Sequence, residues 1–248
     1  MSAELYALTH RGNVGDVAFY RELCRGAGSV LELGSGYGRL LAALARPALR
    51  LVGLERDPSF IVLSRRNLRA LPPSKRTSVR VVRGDMCDFE LGQRFDRIIL
   101  PYNSLYCLES QRAALACFRA VRRALATGGT FALDVWNAES FHRTSVEPVA
   151  DDETAPVVSF EHAGRTWDVF EQLRVWRARQ RLLATYRYVP EGGGAVVRIP
   201  IPQRYYLNAE LTRLLARAGF AVRARYGNFS GTRYTARAAH LIVLARAV

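Results

Sequence analysis

Short apolar runs alternate with segments of helical periodicity along the first half of the chain. Short apolar runs predict buried strands, and amphipathic segments between them predict helices. The predicted strands are residues 30–33, 49–54, 79–82, 95–100 and 130–135, and the predicted helices between them are residues 39–45, 60–70 and 111–126. Strands that alternate with helices in this way predict an α/β protein with a parallel sheet.

The pattern changes after the fifth predicted strand. Residues 167–176, 181–189 and 195–204 lose the helical period and alternate in part, which predicts three antiparallel strands. A helix over residues 208–219 follows, with Asn208 as its N-cap and Gly219 as its stop. Two more strands, residues 221–226 and 239–245, end the chain. We therefore expect one domain made of residues 1–136 and 206–248, with residues 137–205 inserted as a β-rich segment.

A glycine turn connects the first strand to the first helix. Residues 30–40 have the sequence V-L-E-L-G-S-G-Y-G-R-L, in which Gly34, Gly36 and Gly38 follow the spacing G-x-G-x-G. Glycine lets the chain bend sharply and lets a ligand touch bare backbone. The N-terminus of the following helix offers unpaired N–H groups to that ligand. Glu32, two residues before the first glycine, would repel a pyrophosphate but would suit a cationic amine.

The sequence E-x-G-x-G-x-G after an apolar strand resembles motif I of the class I S-adenosylmethionine-dependent methyltransferases. This resemblance implies S-adenosylmethionine as cofactor and S-adenosylhomocysteine as product. It also implies a Rossmann-like sheet of seven strands, mostly parallel with an antiparallel last strand, helices on both faces, and a lid inserted after strand five that covers the substrate. A generic Rossmann glycine turn that binds another nucleotide is the alternative for this motif alone.

Two further acids stand directly after predicted strands. Glu55 ends the second strand, close to the offset at which a Rossmann acid meets a ribose, and a carboxylate can accept hydrogen bonds from both ribose hydroxyls. Gly84-Asp85-Met86 follows the third strand and resembles the adenine site of these methyltransferases. The alternative for Asp85 is a loop aspartate that caps its own turn.

The fourth strand, F-D-R-I-I-L, resembles the corresponding strand of the same family. Its carboxyl end borders the switch point between the sheet halves, where ligands bind in such folds. Pro101, Tyr102, Asn103 and Ser104 follow it and are therefore site candidates close to the methyl group. The motif N-P-P-Y of adenine and glutamine methyltransferases is absent.

The N-terminal segment carries a predicted helix over residues 16–23, capped by Asp16. Its D-V-x-F-Y stretch is similar to small-molecule methyltransferases whose N-terminal segment folds over the cofactor. This resemblance makes Tyr20 and Tyr6 candidates for the methyl-donor pocket. Packing of the helix on the sheet is the competing role for these aromatic side chains.

The candidate residues divide into three sets. The predicted cofactor-binding residues are Tyr20, Glu32, Gly34, Ser35, Gly36, Gly38, Glu55, Arg56, Asp85, Met86, Pro101 and Tyr102. The predicted substrate-binding residues are Tyr6, His10, Asn103, Tyr106, Trp136, Trp167 and Trp176. His142, Tyr20 and Asn103 are the candidate catalytic residues, although a lone histidine such as His142 is more often structural.

Charge and cysteine content add limits to this hypothesis. The chain of 248 residues has a net charge of +14, nearly all of it from arginine, since Lys75 is the only lysine. A basic surface could attract nucleic acid, but the arginines are spread along the chain, and we favour a bias of composition. The four cysteines show no C-x-x-C spacing and no metal-ligand cluster is evident, so we expect core thiols, a cytoplasmic location and no metal. No signal peptide or apolar run long enough for a bilayer is evident.

The expected reaction is methyl transfer to an N or O atom of a small organic molecule, of the kind found in specialised metabolism, by in-line displacement at the sulfonium methyl. We expect a small-molecule acceptor and neither nucleic acid nor membrane as partner. A homodimer is compatible with the sequence, which does not select an oligomeric state. Two alternatives stay open. The basic charge would suit an RNA or protein methyltransferase, and a cofactor-binding subunit without activity would share the same motifs.

Overall fold

The structure, a computed structural model, describes residues 2–144 and 155–248. The strands in these stretches are β1 Ser29–Leu33, β2 Arg50–Glu55, β3 Val79–Arg83, β4 Phe95–Leu100, β5 Leu125–Trp136, β6 Val158–His162, β7 Arg165–Trp176, β8 Arg181–Pro190, β9 Val197–Arg204, β10 Phe220–Tyr226 and β11 His240–Ala247. The helices are α1 Ser2–Thr9, α2 Asp16–Leu23, α3 Arg39–Leu44, α4 Pro58–Arg69, α5 Pro73–Arg76, α6 Gln111–Ala124, α7 Ala138–Thr144 and α8 Asn208–Arg217. Among these helices none combines the length and the apolar character needed to cross a bilayer.

Seven strands form one twisted sheet in the order β10-β11-β5-β4-β1-β2-β3. Strands β1 to β5 run parallel, and β11 runs antiparallel to both of its neighbours, β5 and β10. The predicted mostly parallel sheet with an antiparallel last strand is therefore confirmed. The strand order reverses between β1 and β4, so the crevice expected for a ligand opens at their carboxyl ends.

Helices cover both faces of the sheet, and the side chains on both faces of β1 are buried. In β1, Val30 faces a core with Leu40 and Leu41 of α3 and Ile61 of α4. The alternate residues of β1 face a second core, which contains the apolar stripe of α6 and the buried leucines of α8. Successive side chains of a strand point to opposite faces, so a continuous apolar run such as β1 can hold two helical layers.

A separate antiparallel sheet in the order β6-β7-β8-β9 follows β5 in the chain. The sequence analysis predicted three of these strands and missed β6, which pairs with β7 through the turn Ala163-Gly164, where both residues have positive φ. One end of this sheet packs on α1, where Leu5 lies against Trp167, Val169 and other lid residues. We call β6–β9 the lid. The domain boundaries at residues 137 and 205 stay a prediction, and residues 145–154 of that segment lie outside the described residues.

Three local predictions are corrected by the structure. Helix α6 ends at Ala124, because the chain extends at Leu125 and pairs with Phe95, which makes β5 longer than predicted. Asp16 does not cap α2, since the N-cap is Gly15 and the Asp16 carboxylate instead binds an arginine. The N-cap of α8 is Leu207, the residue before Asn208. The Asn208 Oδ1 instead accepts a hydrogen bond from Nε of Arg225 in β10.

Candidate functional site

A cavity of about 410 Å³ lies between the carboxyl ends of the parallel strands and the lid. Its floor comes from the glycine turn after β1 and from the loop after β4, and its roof comes from β7, β8 and β9. The residues that the loops and α1 contribute include Tyr6, His10, Glu32, Gly34, Ser35, Gly36, Tyr37, Arg39, Pro101, Tyr102, Asn103, Ser104 and Trp136. The position agrees with the crevice at the topological switch point.

The glycine turn is held tightly against its neighbours. Gly38 has φ +82°, and a Cβ added there would lie 2.4 Å from the Ser64 hydroxyl of α4, so no side chain fits. Gly36 N–H donates to the Glu55 carboxylate at 2.8 Å, which ties the turn to the end of β2. Gly34 and Gly36 line the cavity just before the N-terminus of α3, so backbone without side chains faces it there.

Glu32 is a buried carboxyl group in the wall of the cavity. Glu32 is only 3% exposed, and its Oε2 has no hydrogen-bond partner among the described residues. Burial raises the pKa of Glu32 to about 8, although the nearby Arg39 guanidinium works in the opposite direction. An uncompensated buried carboxylate is costly, so this position favours a ligand that brings a positive charge.

The loop after β4 is held in an unusual backbone conformation. Tyr102 and Asn103 have φ of +53° and +62° in succession, which is rare for residues other than glycine. The buried Asp134 carboxylate accepts the Tyr102 N–H at 3.1 Å and the Tyr20 hydroxyl at 2.5 Å, and Asn103 Oδ1 accepts the Trp136 N–H at 2.6 Å. Burial raises the pKa of Asp134 to about 6. These contacts fix the edge of the cavity.

An arginine and an aspartate add a charged contact beside the turn. Arg39 donates two hydrogen bonds to Asp16, at 3.0 Å and 2.5 Å, and this pairing explains why Asp16 is not a helix cap. The Arg39 guanidinium also lies 5.7 Å from the centre of the Tyr102 ring. The pair connects α2 to the start of α3 beneath the cavity.

The structure brings about half of the predicted site residues to the cavity wall. Predicted residues on the wall are Tyr6, His10, Glu32, Gly34, Ser35, Gly36, Pro101, Tyr102, Asn103 and Trp136. Tyr20 and Gly38 are buried directly behind this wall, so they support it.

Four predicted residues lie elsewhere. Tyr106 is fully buried and donates to the Trp136 carbonyl, and Trp167 is buried against α1. Trp176 is 41% exposed at the far end of β7. His142 contacts the Tyr205 hydroxyl through Nδ1 at 2.9 Å. None of the four is among the described residues that line the cavity, because three of the side chains pack on other parts of the fold and Trp176 is exposed.

The residues predicted to hold ribose and adenine have partners of their own. The Glu55 carboxylate accepts the Gly36, Arg56 and Asp57 N–H groups, which leaves it little further capacity for hydroxyl donors. Asp85 is exposed and accepts the Cys87 N–H, as in the turn-capping alternative. Arg56 is exposed, and Met86 packs against the larger core. Contacts of these residues with a cofactor stay a prediction.

The sequence analysis missed several residues on the cavity wall. They are Tyr37, Arg39, Cys107, Phe141, Glu171, Leu173, Leu182, Ala184, Ile201 and Gln203. Most come from the lid or from helix starts, where no motif marks them. Glu171 did carry a signal, because it is an acid in a row of alternate apolar residues along β7.

The fold and the cavity together define a Rossmann-like α/β protein with a ligand site at its switch point, a glycine turn at that site and a buried acid beside it. The comparisons with known proteins narrow this class. A family model described as a methyltransferase domain matches residues 30–129. That stretch begins in strand β1, includes the glycine turn and ends within strand β5.

Relatives with names extend the match beyond that stretch. The cypemycin N-terminal methyltransferase from Streptomyces sp is 28% identical over 218 residues, which cover 87% of this chain and 82% of the relative. The CcbJ methyltransferase from Streptomyces caelestis superposes with a TM-score of 0.79 at 26% identity, over 94% of this chain and 88% of that one. CalS10, an amino pentose methyltransferase from Micromonospora echinaspora solved with bound S-adenosylmethionine, shares the fold at 19% identity, with a TM-score of 0.71 and coverage of 99% and 96%.

The matched domain and these relatives are all described as methyltransferases, and the chain is similar to them over most of its length. Together these similarities support a methyltransferase enzyme whose cofactor is S-adenosylmethionine. The site is consistent with this cofactor in two ways. The unpaired Glu32 oxygen suits a cationic amine, and Gly36, where an added Cβ would meet nothing within 4 Å, leaves room for a ligand against the backbone.

Proposed function

We propose that this methyltransferase acts on an amine nitrogen of a small organic molecule. The observation that carries the proposal is the cavity itself, which is closed on one side by the apolar face of the lid and has the size of a small-molecule site. The name of the N-terminal methyltransferase from Streptomyces sp favours nitrogen over oxygen as the acceptor atom. A concave site of this size, covered on one side by the lid, does not suit a large folded or nucleic-acid substrate.

The proposed roles on the cofactor side follow from the charges and donors present. S-adenosylmethionine, when bound, supplies an electrophilic methyl group on a sulfonium. Glu32 would receive its amine, and the N–H groups at the start of α3 would face its polar end. Glu55 would meet the ribose, and Asp85 with Met86 would meet the adenine. These assignments rest on motif position and on the unpaired Glu32 oxygen.

The acceptor side calls for position and desolvation more than for a strong base. An amine nitrogen loses its extra proton to water, its lone pair forms the new N–C bond, and the electron pair of the broken C–S bond stays on sulfur. The protein contributes orientation and exclusion of water. The fixed loop at Tyr102 and Asn103 is suited to orient the acceptor, because its backbone is held by buried hydrogen bonds.

Turnover with matched acceptors tests the proposal. Purified protein with S-adenosylmethionine is offered pairs of amines and alcohols that have the same carbon skeleton, such as 2-phenylethylamine and 2-phenylethanol. The expected product is the N-methylated amine, identified by mass spectrometry together with S-adenosylhomocysteine. Methylation confined to alcohols across the panel would contradict the choice of nitrogen.

A second acceptor class is the terminal amine of a peptide. The name of the Streptomyces sp relative favours it, and its amine chemistry is the same. Short peptides with free and acetylated N-termini in the same assay distinguish this class from smaller amines, because acetylation removes the nucleophilic lone pair.

A further inference from the structure

The lid turns an apolar face toward the cavity, and one acidic residue interrupts it. Alternate residues of a strand share one face, and on this face of β7 the residues Trp167, Val169 and Val175 are buried. Leu173 of the same row lines the cavity. Glu171 stands in the middle of this row, between Val169 and Leu173, and also lines the cavity.

The register of the neighbouring strands shows how isolated this carboxylate is. Glu171 pairs with Tyr186 of β8, which pairs in turn with Ile199 of β9. The next pair along the same face is Leu173 with Ala184. Of the lid residues that line the cavity in the described part of the chain, Glu171 alone is ionisable apart from the Tyr186 phenol.

The hydrogen bonds of Glu171 leave most of its capacity unused. Within residues 2–144 and 155–248, only the Tyr186 hydroxyl donates to its carboxylate, at 2.8 Å to Oε1. No described arginine, lysine or histidine forms an ion pair with it. A carboxylate offers about four acceptor sites, and placing one on an apolar face without a positive partner is unfavourable. The half-buried carboxylate therefore keeps free acceptor sites on the cavity wall that a cationic group could use.

Aromatic rings on the cavity wall lie next to the Glu171–Tyr186 pair. The His10 ring lies edge to face with Tyr186, with their centres 4.7 Å apart, and stacks on Tyr6 at 4.0 Å. Burial lowers the pKa of His10 to about 4, so at neutral pH its ring is uncharged and does not repel a cation. Burial and the Glu171 charge raise the pKa of Tyr186, which keeps its hydroxyl protonated as a donor.

We propose that Glu171, with the rings of Tyr186 and His10, is the subsite that binds the protonated amine of the methyl acceptor. This inference rests on the proposed function, because it concerns that acceptor. An alkyl ammonium gains charge-assisted hydrogen bonds from the free carboxylate oxygen and attraction to the aromatic faces. An alcohol of the same shape can donate only one hydrogen bond to the carboxylate and brings no positive charge to the carboxylate or to the rings, so the subsite selects amines over alcohols.

Binding to the product-loaded protein tests the subsite without any need for turnover. The protein with S-adenosylhomocysteine is titrated calorimetrically with three pairs of ligands: 2-phenylethylamine and 2-phenylethanol, tryptamine and tryptophol, and cyclohexylmethylamine and cyclohexylmethanol. The variant Glu171→Gln keeps the shape and an acceptor for Tyr186 but removes the charge. Glu161→Gln makes the same change at an exposed position of β6 and is the matched control.

The expected result is that wild-type protein binds the amines at least roughly tenfold more tightly than the alcohols, as a charge-assisted hydrogen bond implies. Glu171→Gln loses this preference, Glu161→Gln keeps it, and both retain their affinity for S-adenosylhomocysteine. Glu171→Leu, which suits an apolar strand face, replaces Glu171→Gln if that variant does not fold.

Two outcomes would overturn the subsite. One is wild-type protein that shows no preference for amines; the other is an unchanged preference in a folded Glu171 variant. Failure of the proposed function looks different, since it would appear in the turnover assay as the absence of an N-methylated product while the amine preference in binding persists.

Discussion

Glu32 gives the sharpest test of how this site is built. Its carboxyl group is buried on β1, its Oε2 has no partner among the described residues, and burial raises its pKa to about 8. Glutamine has nearly the same shape and does not titrate. We therefore predict that Glu32→Gln raises the free energy of unfolding of the ligand-free protein near neutral pH. The same substitution is expected to weaken the binding of S-adenosylmethionine.

The magnitude follows from the difference between the folded and unfolded states. Below the unfolded pKa of 4.5 the group is protonated in both states, and as the pH rises toward about 8 only the unfolded state releases the proton. A pKa that is raised in the folded state therefore contributes stability at low pH. This contribution is lost as the pH rises from 4.5 toward about 8. At about 1.36 kcal/mol per pH unit, the ligand-free wild type loses roughly 3 kcal/mol by pH 7 relative to Glu32→Gln.

Urea unfolding of both proteins between about pH 5 and pH 8 measures this difference. All other titrating groups are shared and cancel in the comparison, and Glu90→Gln at an exposed position controls for the loss of a surface charge. The free energy of unfolding of Glu32→Gln is expected to gain on that of the wild type as the pH rises. Parallel curves for the two proteins would refute the assigned burial cost.

Cofactor binding provides the second half of the same test. An ammonium placed beside Glu32 favours its ionised form, so binding near neutral pH should release close to one proton from this residue. The affinity of the wild type for S-adenosylmethionine is expected to rise with pH up to about 8, and that of Glu32→Gln to be lower and flatter. Calorimetry in buffers of different ionisation enthalpy counts the released proton, and equal proton release by the two proteins would show that Glu32 does not meet the amine.

Three further predictions concern the turn, the lid and the charge. Gly38→Ala should destabilise the protein by about 3 kcal/mol in urea unfolding, because the new Cβ meets Ser64 and the backbone has positive φ. Gly36→Ala should cost only about 1 kcal/mol, because a Cβ there meets nothing within 4 Å. Equal costs for the two variants would contradict the steric argument. Glu210→Ala should cost about 3 kcal/mol in the same assay, because it leaves the buried Arg204 without its partner. The KM for an acceptor amine should change little with salt concentration, since a slope of several in the logarithmic plot would indicate phosphate contacts and an RNA acceptor.

Much of the main sheet was predictable because the signals for it are local. The apolar run before Gly34, the G-x-G-x-G spacing and Glu32 all lie within a few residues, and together they predict strand, turn, helix and an acid at the switch point. The seven strands, mostly parallel with an antiparallel last strand, followed from the family resemblance and are confirmed, whereas the order of the strands came only from the structure.

Helix ends and the lid were less predictable because competing contacts decide them. Asp16 has the chemistry of an N-cap, yet the Arg39 guanidinium binds its carboxylate across 23 positions of sequence. The first lid strand was missed because its pairing depends on a two-residue turn in the left-handed region, which propensity does not mark.

The sequence by itself determined the strand, the glycine turn and the acid at the strand end, because their spacing is local, and the family resemblance of that stretch predicted the cofactor. Only the tertiary structure decided which aromatic and acidic side chains reach the cavity. Trp167 and Trp176 point to α1 and to solvent, whereas Glu171 lines the cavity beside Tyr186. The physical reason is that a strand's period puts every second residue on one face, and the pairing register and the packing of the lid on α1 choose which part of that face covers the site.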